Sequence, residues 1–359
     1  MLIANVHYTG FGGLAAVVNG MVTASGAEAH EWLMGYYGVV PLDASNKAFC
    51  EKHDLQYSTF RPQPRRPWSA WRALTRWLNQ QCPDAILCHS ITAIPPCAYH
   101  ARKRRIPLIA VEHTPNEVKS RTEWAGSFAA MRSADRVVVL TNVYAGLLQA
   151  GLGRWYSPAK VRIIPNGVDA AMFRPVKGIG NNKQQPWAGM AARLAHTKRH
   201  DILVDVAHDT DIRLKFAGVG ECLEALKKRA GQDEETGVEF SGLVPAAEMP
   251  NWLRGLDMYL HASEGETFSM SILQAMATGL PVIASDISGM DEIIGRDGRC
   301  GLLVPNTKDA WRAAIARVAG DADLRRRMGQ AARERVEEKF STAAMLQRYL
   351  QVIRDVNGQ

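Results

Sequence analysis

The sequence predicts an α/β protein of two domains, each built on a parallel sheet. Its 359 residues suit two domains of ordinary size, and 47% of them are apolar, enough for each domain to bury its own core. Short apolar runs alternate with helical stretches along the chain, which favours parallel strands joined by helices. We therefore expect two Rossmann-like domains whose sheets face a central cleft, with ligands at the carboxyl ends of the strands.

Four apolar runs in the first half are predicted to be strands: Leu2–Val6, Ala85–Cys88, Pro107–Val111 and Arg136–Leu140. Helical runs begin near Gly13, Trp68, Ile94 and Asn116. A turn sequence at residues 165–169 and a polar stretch at Gly178–Asn182 then indicate a domain boundary. We expect a first domain over residues 1–165 and a second over residues 166–340.

The second half repeats the alternation. Its predicted strands are Trp187–Met190, Leu214–Ala217, Met258–His261, Pro281–Ala284 and Gly301–Val304. From Asp309 onward the pattern is mostly helical.

The charge is concentrated in the first half. Residues 1–168 carry 18 Lys and Arg against 10 Asp and Glu, a net charge of +8, whereas the remainder carries 25 against 26, a net charge of −1. A basic domain indicates an anionic partner, such as an acidic membrane face, a phosphate-bearing acceptor or nucleic acid. The basic clusters lack an RRM, OB or helix-turn-helix setting, so we expect no nucleic-acid partner.

One basic segment interleaves tryptophan with arginine. Trp71 and Leu74 fall on one helical face, whereas Arg72 and Arg76 lie elsewhere. This pattern favours an amphipathic helix packed on the sheet. The alternative is a membrane-interface element, with tryptophan at the headgroup level and arginine facing anionic lipid, and the basic run at residues 102–105 would extend that surface.

Cysteine usage and hydropathy indicate a cytoplasmic protein. The six cysteines are scattered without CxxC pairs, which favours a reducing cytosol over a structural zinc site. No window of about twenty apolar residues predicts a membrane-spanning helix. Leu2–Val6 is too short for a signal-peptide core. We expect the basic half to allow association with the inner face of the membrane.

The most informative segment covers residues 264–285. It reads as an acidic, glycine-containing loop, a helix of small and apolar residues, then Gly279 and a buried strand. A helix that begins after such a loop presents unpaired N–H groups to an anion. Glu266 lies in the loop and can hydrogen-bond hydroxyl groups. A phosphate beside such a carboxylate indicates a nucleotide-sugar site.

Two further motifs suit a phosphate-bearing ligand. Arg193 and Lys198 follow a predicted strand and can converge on one diphosphate, the arginine by forking two oxygens and the lysine as a point charge. Taken alone, this segment also fits a solvated helix start. Gly12 and Gly13 lie between the first strand and the first helix, where glycines let the backbone approach a phosphate or sugar.

Residues 264–285 resemble the donor-site signature of the retaining glycosyltransferases of family 4, which have the two-domain GT-B architecture. That signature is a glutamate, seven residues, a second glutamate, a small-residue helix and Gly-x-Pro-Val. Glu266 matches the first acid and residues 279–282 match the end, whereas Gln274 replaces the second acid.

The resemblance implies roles for single residues. Arg193 and Lys198 match the family's Gly-Arg-Leu-x₃-Lys pattern, with Ala192 in place of its glycine, and would bind the diphosphate so that no metal is needed. Glu266 would hold the sugar hydroxyls, and His113, at a strand end, would contact the transferred sugar. The other implied donor contacts are Gly12, Gly13, Gly218, Gly220, Thr267, Phe268, Ser269, Met270 and Gln274. The last helix, about residues 341–359, would pack back on the first domain.

The expected function is metal-independent, retaining transfer of a hexosyl group from a UDP- or GDP-sugar to a glycan or lipid-linked acceptor. Bacterial surface polysaccharide or lipopolysaccharide synthesis is the expected setting. Two alternatives stay open, a nucleotide-sugar epimerase of the same fold and a non-catalytic nucleotide-sugar-binding partner subunit. Two Asp-x-Asp pairs, Asp209–Asp211 and Asp321–Asp323, resemble a metal-binding motif but are expected to be caps or surface acids.

Overall fold

The chain forms two compact units in a computed structural model that describes residues 1–10, 12–25, 30–63, 66–114, 116, 119–175, 185–231, 237–266 and 268–358. The first unit comprises Met1–Gly167 with Thr342–Gln359, and the second comprises Val168–Ser341. The predicted boundary stretch Gly178–Asn182 and the predicted donor contact Thr267 lie outside the described residues.

The first unit is built on a seven-stranded parallel sheet in the order β3-β2-β1-β4-β5-β6-β7. Its strands are β1 (Leu2–His7), β2 (Glu31–Tyr37), β3 (Gln56–Phe60), β4 (Ala85–Cys88), β5 (Leu108–Val111), β6 (Arg136–Val139) and β7 (Val161–Ile163). The helices between them are α1 (Gly13–Ala24), α2 (Ala44–Lys52), α3 (Trp68–Gln81), α4 (Ile94–Arg104), α5 (Arg121–Ser133) and α6 (Asn142–Leu152).

The helix predicted near Asn116 begins later, at Arg121. Ser120 caps α5 by accepting from the amide of Glu123, and the Glu123 side chain accepts in return from the Ser120 amide. This reciprocal pair satisfies two donors that the first turn of a helix leaves unpaired, so it fixes the helix start.

The second unit holds a six-stranded parallel sheet in the order β10-β9-β8-β11-β12-β13. Its strands are β8 (Trp187–Ala191), β9 (Arg213–Ala217), β10 (Val238–Phe240), β11 (Met258–His261), β12 (Val282–Ser285) and β13 (Gly301–Val304). Its helices are α7 (His200–Ala207), α8 (Leu223–Ala230), α9 (Met249–Arg254), α10 (Met270–Ala277), α11 (Met290–Ile294), α12 (Lys308–Ala319) and α13 (Ala322–Lys339).

The chain ends in helix α14 (Thr342–Asn357), which belongs to the first unit. α14 packs on α1, where a Cβ built on Gly20 would lie 3.1 Å from Cγ2 of Thr342. Tyr349 and Ile353 of α14 are fully buried there. The terminal helix therefore completes the core of a unit whose other elements all precede the second unit in the chain.

In both sheets the strand order reverses beside the first strand of the unit, between β1 and β4 and between β8 and β11. Open α/β sheets bind ligands at such switch points, beyond the carboxyl ends of the strands. The loops that follow β8 and β11 carry the acid, lysine and arginine singled out in the sequence, so the topology brings these segments to one edge of the second sheet.

None of the helices in the described part of the chain combines the length and apolar composition needed to cross a bilayer. One aspartate of each Asp-x-Asp pair makes a hydrogen bond within the second unit. Asp321 caps α13 by accepting from the amide of Leu324 at 2.8 Å, and Asp211 accepts from Nε2 of Gln185 at 2.6 Å. Among the described residues, no three His, Cys, Asp or Glu side chains are grouped so that they could hold a metal ion.

Candidate active site

Glu266 is the centre of a polar cluster at the switch point of the second sheet. Nζ of Lys198 donates to its Oε1, and Nε2 of His261 lies 2.7 Å from the same oxygen. Oε2 has no hydrogen bond from the described residues, and the side chain keeps 16% of its surface exposed. Two donors therefore fix one carboxylate oxygen and leave the other for a ligand.

The cluster keeps Glu266 ionised. Burial alone would raise the pKa of this carboxyl, but the hydrogen bond and charge of His261 and the charge of Lys198 lower it to about 2. Glu266 is thus a carboxylate at neutral pH. It can accept hydrogen bonds and stabilise positive charge, and it has no proton to give as a general acid.

His261 was not among the residues predicted to form the site. It is the last residue of β11 and only 2% exposed, and its Nδ1 is buried without a partner in the described part of the chain. The available signal was a histidine ending an otherwise apolar strand, five residues before Glu266. The sequence pattern identifies that position only as the end of a strand.

Lys198 is held in place by contacts between its turn and the loop that carries Glu266. The amide of Glu264 donates to the carbonyl oxygen of Thr197 at 2.9 Å. Arg199 has a left-handed backbone, with φ 28°, and its guanidinium lies 3.1 Å from Asp201 and 3.4 Å from Glu264. These contacts join two loops that are about 65 residues apart in sequence, so the Lys198–Glu266 pair rests on a rigid base.

Arg193 lies in the same loop as Lys198 but outside the Glu266 cluster. Its guanidinium is 3.1 Å from Oε2 of Glu221, with side-chain exposures of 73% and 48%. Solvent screens an exposed ion pair of this kind, so Arg193 can exchange Glu221 for another anion at little cost.

Gly218 and Gly220 shape the loop that carries Arg193. A Cβ on Gly218 would lie 2.0 Å from the carbonyl oxygen of Ala192, and one on Gly220 would lie 2.3 Å from that of Leu194. The amide of Leu194 donates to the carbonyl oxygen of Val219 at 3.1 Å. The glycines therefore let the loop after β9 pack directly against the backbone around Arg193.

Four predicted donor contacts lie at or near the start of α10: Phe268, Ser269, Met270 and Gln274. Ser269 caps the helix by accepting from the amide of Ile272 at 3.4 Å, while the amides of Met270 and Ser271 precede the first intrahelical bonds. Phe268 comes directly before this cap. Gln274 lies one turn into α10, half-buried, and its side-chain amide makes no hydrogen bond among the described residues.

Three predicted residues belong to the first unit. Gly12 precedes α1 with φ 159° and ψ −169°, a conformation essentially restricted to glycine, and a Cβ there would meet nothing within 4 Å. Gly13 begins the helix. His113 follows β5 and is half-buried, with Nε2 2.9 Å from Nδ1 of His89. Burial lowers the pKa of His113 to about 4, so the ring is neutral at physiological pH.

Two units with parallel α/β sheets, and a carboxylate, a lysine and an arginine at the switch point of the second, are the arrangement expected of a glycosyltransferase of the GT-B class. Residues 12–171 match the family model "Glycosyltransferase Family 4", and residues 175–335 match the model "Glycosyl transferases group 1". The chain belongs to this family of glycosyltransferases.

Curated relatives carry glycosyltransferase and synthase names. The D-inositol 3-phosphate glycosyltransferase of Kribbella flavida is 27% identical over 267 residues, which are 65% of this chain and 62% of the relative. The alpha-maltose-1-phosphate synthase of Mycolicibacterium smegmatis is 26% identical over 64% of this chain and 65% of its own length. The chain thus matches less than two thirds of the length of these relatives.

Solved structures share the fold over nearly the whole chain. The Anabaena protein Alr3699/HepE in complex with UDP has a TM-score of 0.82 at 20% identity, covering 99% of this chain and 100% of that one. The lipopolysaccharide outer core galactosyltransferase WaaB has a TM-score of 0.74 at 17% identity, covering 99% of both chains. At these identities the likeness concerns the fold.

Proposed function

We propose that the protein transfers a hexosyl group from a nucleotide diphosphate sugar to an acceptor hydroxyl, with retention of the anomeric configuration and without a metal ion. The observation that carries the proposal is the state of Glu266. It is an ionised carboxylate with one oxygen held by Lys198 and His261 and the other left for a ligand. Such a group accepts hydrogen bonds from sugar hydroxyls and stabilises positive charge at the anomeric carbon.

The leaving diphosphate gains negative charge as the glycosidic bond breaks, so the reaction needs fixed positive groups. Lys198 stands beside Glu266, and Arg193 can exchange Glu221 for a phosphate oxygen. The first-turn amides of α10 add partial positive charge. These three sources support a reaction without a metal. Removal of one such group costs about 3–4 kcal/mol in comparable electrostatic sites.

Gln274 is the proposed ribose contact. It lies on α10 one turn beyond Met270, where the family signature has a glutamate. An amide accepts a hydrogen bond from one hydroxyl but offers no charge-assisted pair, so we expect weaker nucleotide binding than a glutamate would give.

For the donor, a UDP-sugar is the first choice, because the related Anabaena structures contain UDP and UDP-glucose, and a GDP-sugar is the alternative. For the acceptor, we propose a glycan or lipid-linked hydroxyl at the inner face of the membrane, in bacterial surface polysaccharide or lipopolysaccharide synthesis. The basic first half of the chain and the fold shared with WaaB support this choice.

The proposal is tested by thermal unfolding with UDP, GDP, ADP and their sugars, each with and without EDTA. A ligand at 100 times its dissociation constant adds about 2.7 kcal/mol of stability. A base-selective rise that EDTA leaves unchanged is expected. No rise with any nucleotide would contradict donor binding.

Product analysis then separates transfer from the alternatives. Transfer releases the nucleotide diphosphate and keeps the anomeric configuration in the product's NMR spectrum. An epimerase would invert the sugar at C2, and a binding subunit would leave the donor intact.

Glu266→Gln is expected to lower kcat about 100-fold or more while free nucleotide still binds. Glu224→Gln on α8, whose side chain is 83% exposed and lies outside this cluster, is the matched control and should stay close to wild type.

A further inference from the structure

A second histidine lies directly behind His113 in the first unit. Nδ1 of His89 is 2.9 Å from Nε2 of His113, the ring centroids are 5.2 Å apart, and the ring planes differ by 24°. Nearly coplanar rings at this separation face each other edge to edge, which is the geometry of an in-plane N–H···N hydrogen bond. The two rings therefore share one proton between these two nitrogens.

The strands explain why the rings meet. His89 follows β4 and His113 follows β5, and these strands pair in parallel with Leu87 opposite Ile109. Paired residues of neighbouring strands point to the same face of a sheet, and so do alternate residues along each strand. His89 lies two residues after Leu87, and His113 lies four residues after Ile109. Both rings thus project from one face at its carboxyl edge, the face on which Tyr349 of α14 lies with its ring centroid 6.3 Å from that of His89.

His89 is buried where a positive charge is unfavourable. It is 4% exposed, and its Nε2 is buried without a partner among the described residues. Burial, with added repulsion from His113 and His7, places the pKa of His89 well below its usual range. Both members of the pair are therefore neutral, and each ring carries one proton.

The main chain at His113 is fixed independently of its ring. The amide of Glu112 donates to the carbonyl oxygen of Val138 at 2.9 Å. The Glu112 carboxylate lies 2.9 Å from Nζ of Lys119, and both side chains are fully buried. Nζ of Lys119 also donates to Ser127 on α5 at 2.9 Å. These contacts position the main chain next to His113, but they determine neither the rotation nor the tautomer of its imidazole ring.

We propose that His89 is a positioning residue that sets the ring orientation and tautomer of His113. In this arrangement Nδ1–H of His89 donates to Nε2 of His113, so that the proton of His113 lies on Nδ1. The opposite arrangement would leave the buried Nε2 of His89 as an N–H without an acceptor, and buried orphan N–H groups are rarer than unfilled acceptors. His113 therefore presents a hydrogen-bond donor to an oxygen of the ligand.

The role of this donor rests on the proposed function and on the sugar contact that the family resemblance implies for His113, whereas the tautomer depends on neither. The first test is ¹⁵N NMR of the full chain labelled at histidine, with His89→Asn and His113→Asn used to assign the signals. Nδ1 is expected to be the protonated nitrogen in both rings. A proton on Nε2 of His113 would overturn the inference, whatever reaction the enzyme catalyses.

Kinetics test the positioning role. His89→Leu removes the donor, whereas His89→Asn places an amide N–H near the position of Nδ1. We expect His89→Leu to lower kcat/KM for the nucleotide sugar about 10-fold with the Kd of free nucleotide unchanged, and His89→Asn to stay within about 3-fold of wild type.

A double-mutant cycle separates positioning from a general loss of structure. In the His113→Leu background, adding His89→Leu should cost no further activity, because the ring that His89 orients is gone. A further 10-fold loss in that background would show that His89 acts by another route. If the wild-type protein transfers no sugar at all, the proposed function fails while the NMR result still decides the tautomer.

Discussion

Glu266 combines burial with two hydrogen-bond donors on a single oxygen, and this makes its charge sensitive to acid in a defined range. Its ordinary pKa is 4.5 and its pKa in the folded protein is about 2. The carboxylate therefore contributes stability that is fully present above about pH 4.5 and is lost as the pH falls towards 2. By linkage this contribution is on the order of 3 kcal/mol.

The prediction compares wild type with Glu266→Gln in denaturant titrations at pH 7, 4, 3 and 2. The difference in unfolding free energy between the two proteins should shrink as the pH falls from about 4.5 to 2, because only the wild type must protonate this group. Other acids titrate in both proteins and cancel in the difference. A difference that stays constant across this range would mean that Glu266 is not held by Lys198 and His261.

A single substitution at Gln274 is expected to keep or improve the affinity for the nucleotide. Its half-buried amide lies without a hydrogen bond from the described residues on the face of α10 that carries Met270. Gln274→Glu should keep or improve the affinity for free UDP, because a carboxylate accepts stronger hydrogen bonds from ribose hydroxyls. Calorimetric titration measures the Kd, with Gln274→Ala as the control that removes the contact. A tenfold weaker Kd for Gln274→Glu would show that this residue does not bind ribose.

At the residue scale, motif spacing is the main information that the sequence offers about the site. Lys198 and Glu266 were singled out from motif spacing, and the structure brings them into contact. His261 could not be predicted as a site residue, because a histidine at a strand end belongs to no motif. Its contact with Glu266 depends on the loop that folds back over it. Arg193 pairs with Glu221 from the loop after β9, a contact between segments 28 residues apart that the sequence could not reveal.

Among the elements, strands that are largely apolar are the easiest to predict. β4, β11 and β13 were predicted with the bounds that the structure has. β2 and β3 were not predicted. β3 reads Gln-Tyr-Ser-Thr-Phe, a polar run that forms an edge strand, and β2 contains Gly35 where the ring of Trp77 approaches. Their pairing depends on neighbours in space and not on local hydrophobicity.

Helix α3 confirms the predicted amphipathic pattern and leaves its membrane role to be tested. Leu74 and Leu78 are fully buried, whereas Arg72 and Arg76 are exposed and Trp68 is 59% exposed. We propose that this outer face contacts anionic lipid. The double variant Arg72→Ala/Arg76→Ala should therefore sediment less with anionic vesicles, because its free energy of binding to them is weaker by roughly 1 kcal/mol per charge removed.

The charge-matched control for this experiment is Arg326→Ala/Arg327→Ala on α13, which removes two exposed arginines from the second unit. It should sediment like wild type, and added salt should weaken the binding of both. Equal sedimentation of the α3 variant and wild type would contradict a membrane contact through α3.

Helix α13 passes close to the turn that ends α10. A Cβ on Gly329 would lie 2.0 Å from the carbonyl oxygen of Gly279, which itself has a left-handed φ of 83°. Gly329→Ala should therefore lower the unfolding free energy by about 1–3 kcal/mol, because backbone atoms must move apart. Gly146→Ala on α6, where a Cβ meets nothing within 4 Å, should instead raise it by about 0.5–1 kcal/mol. Denaturant midpoints measure both, and a shared sign would refute this account.

At the scale of the whole molecule, the chain crosses between its units twice, near residues 167 and 341, and the two crossings meet within the second unit. The amide of Val168 donates to the carbonyl oxygen of Phe340 at 2.8 Å, and Val168 bridges to Ser341. The first unit thus has a discontinuous sequence. The alternation of strands and helices predicted two sheets, but membership of a distant helix in the first core is not a property of any local pattern.

Removal of α14 tests whether the first unit depends on this helix for its stability. Six apolar side chains of this helix are buried: Met345, Leu346, Tyr349, Leu350, Val352 and Ile353. Each contributes about 1.5–3 kcal/mol, a sum comparable with the 5–15 kcal/mol by which a domain is stable. A chain ending at Ser341 should therefore show rapid hydrogen exchange throughout the first unit and protection in the second. A chain ending at Asp355 is the control, and protection of the first unit in the shorter chain would contradict the prediction.

The discontinuous first unit also sets an order of events during synthesis. The ribosome delivers α14 only after every residue of the second unit, so the second unit can fold while the first still lacks its closing helix. Until then the apolar face that α14 covers stays open to water and to other nascent chains, the condition under which folding intermediates aggregate. Slow translation through residues 168–341 would lengthen this interval, and a chaperone that covers an exposed apolar face would protect the chain until its last helix emerges.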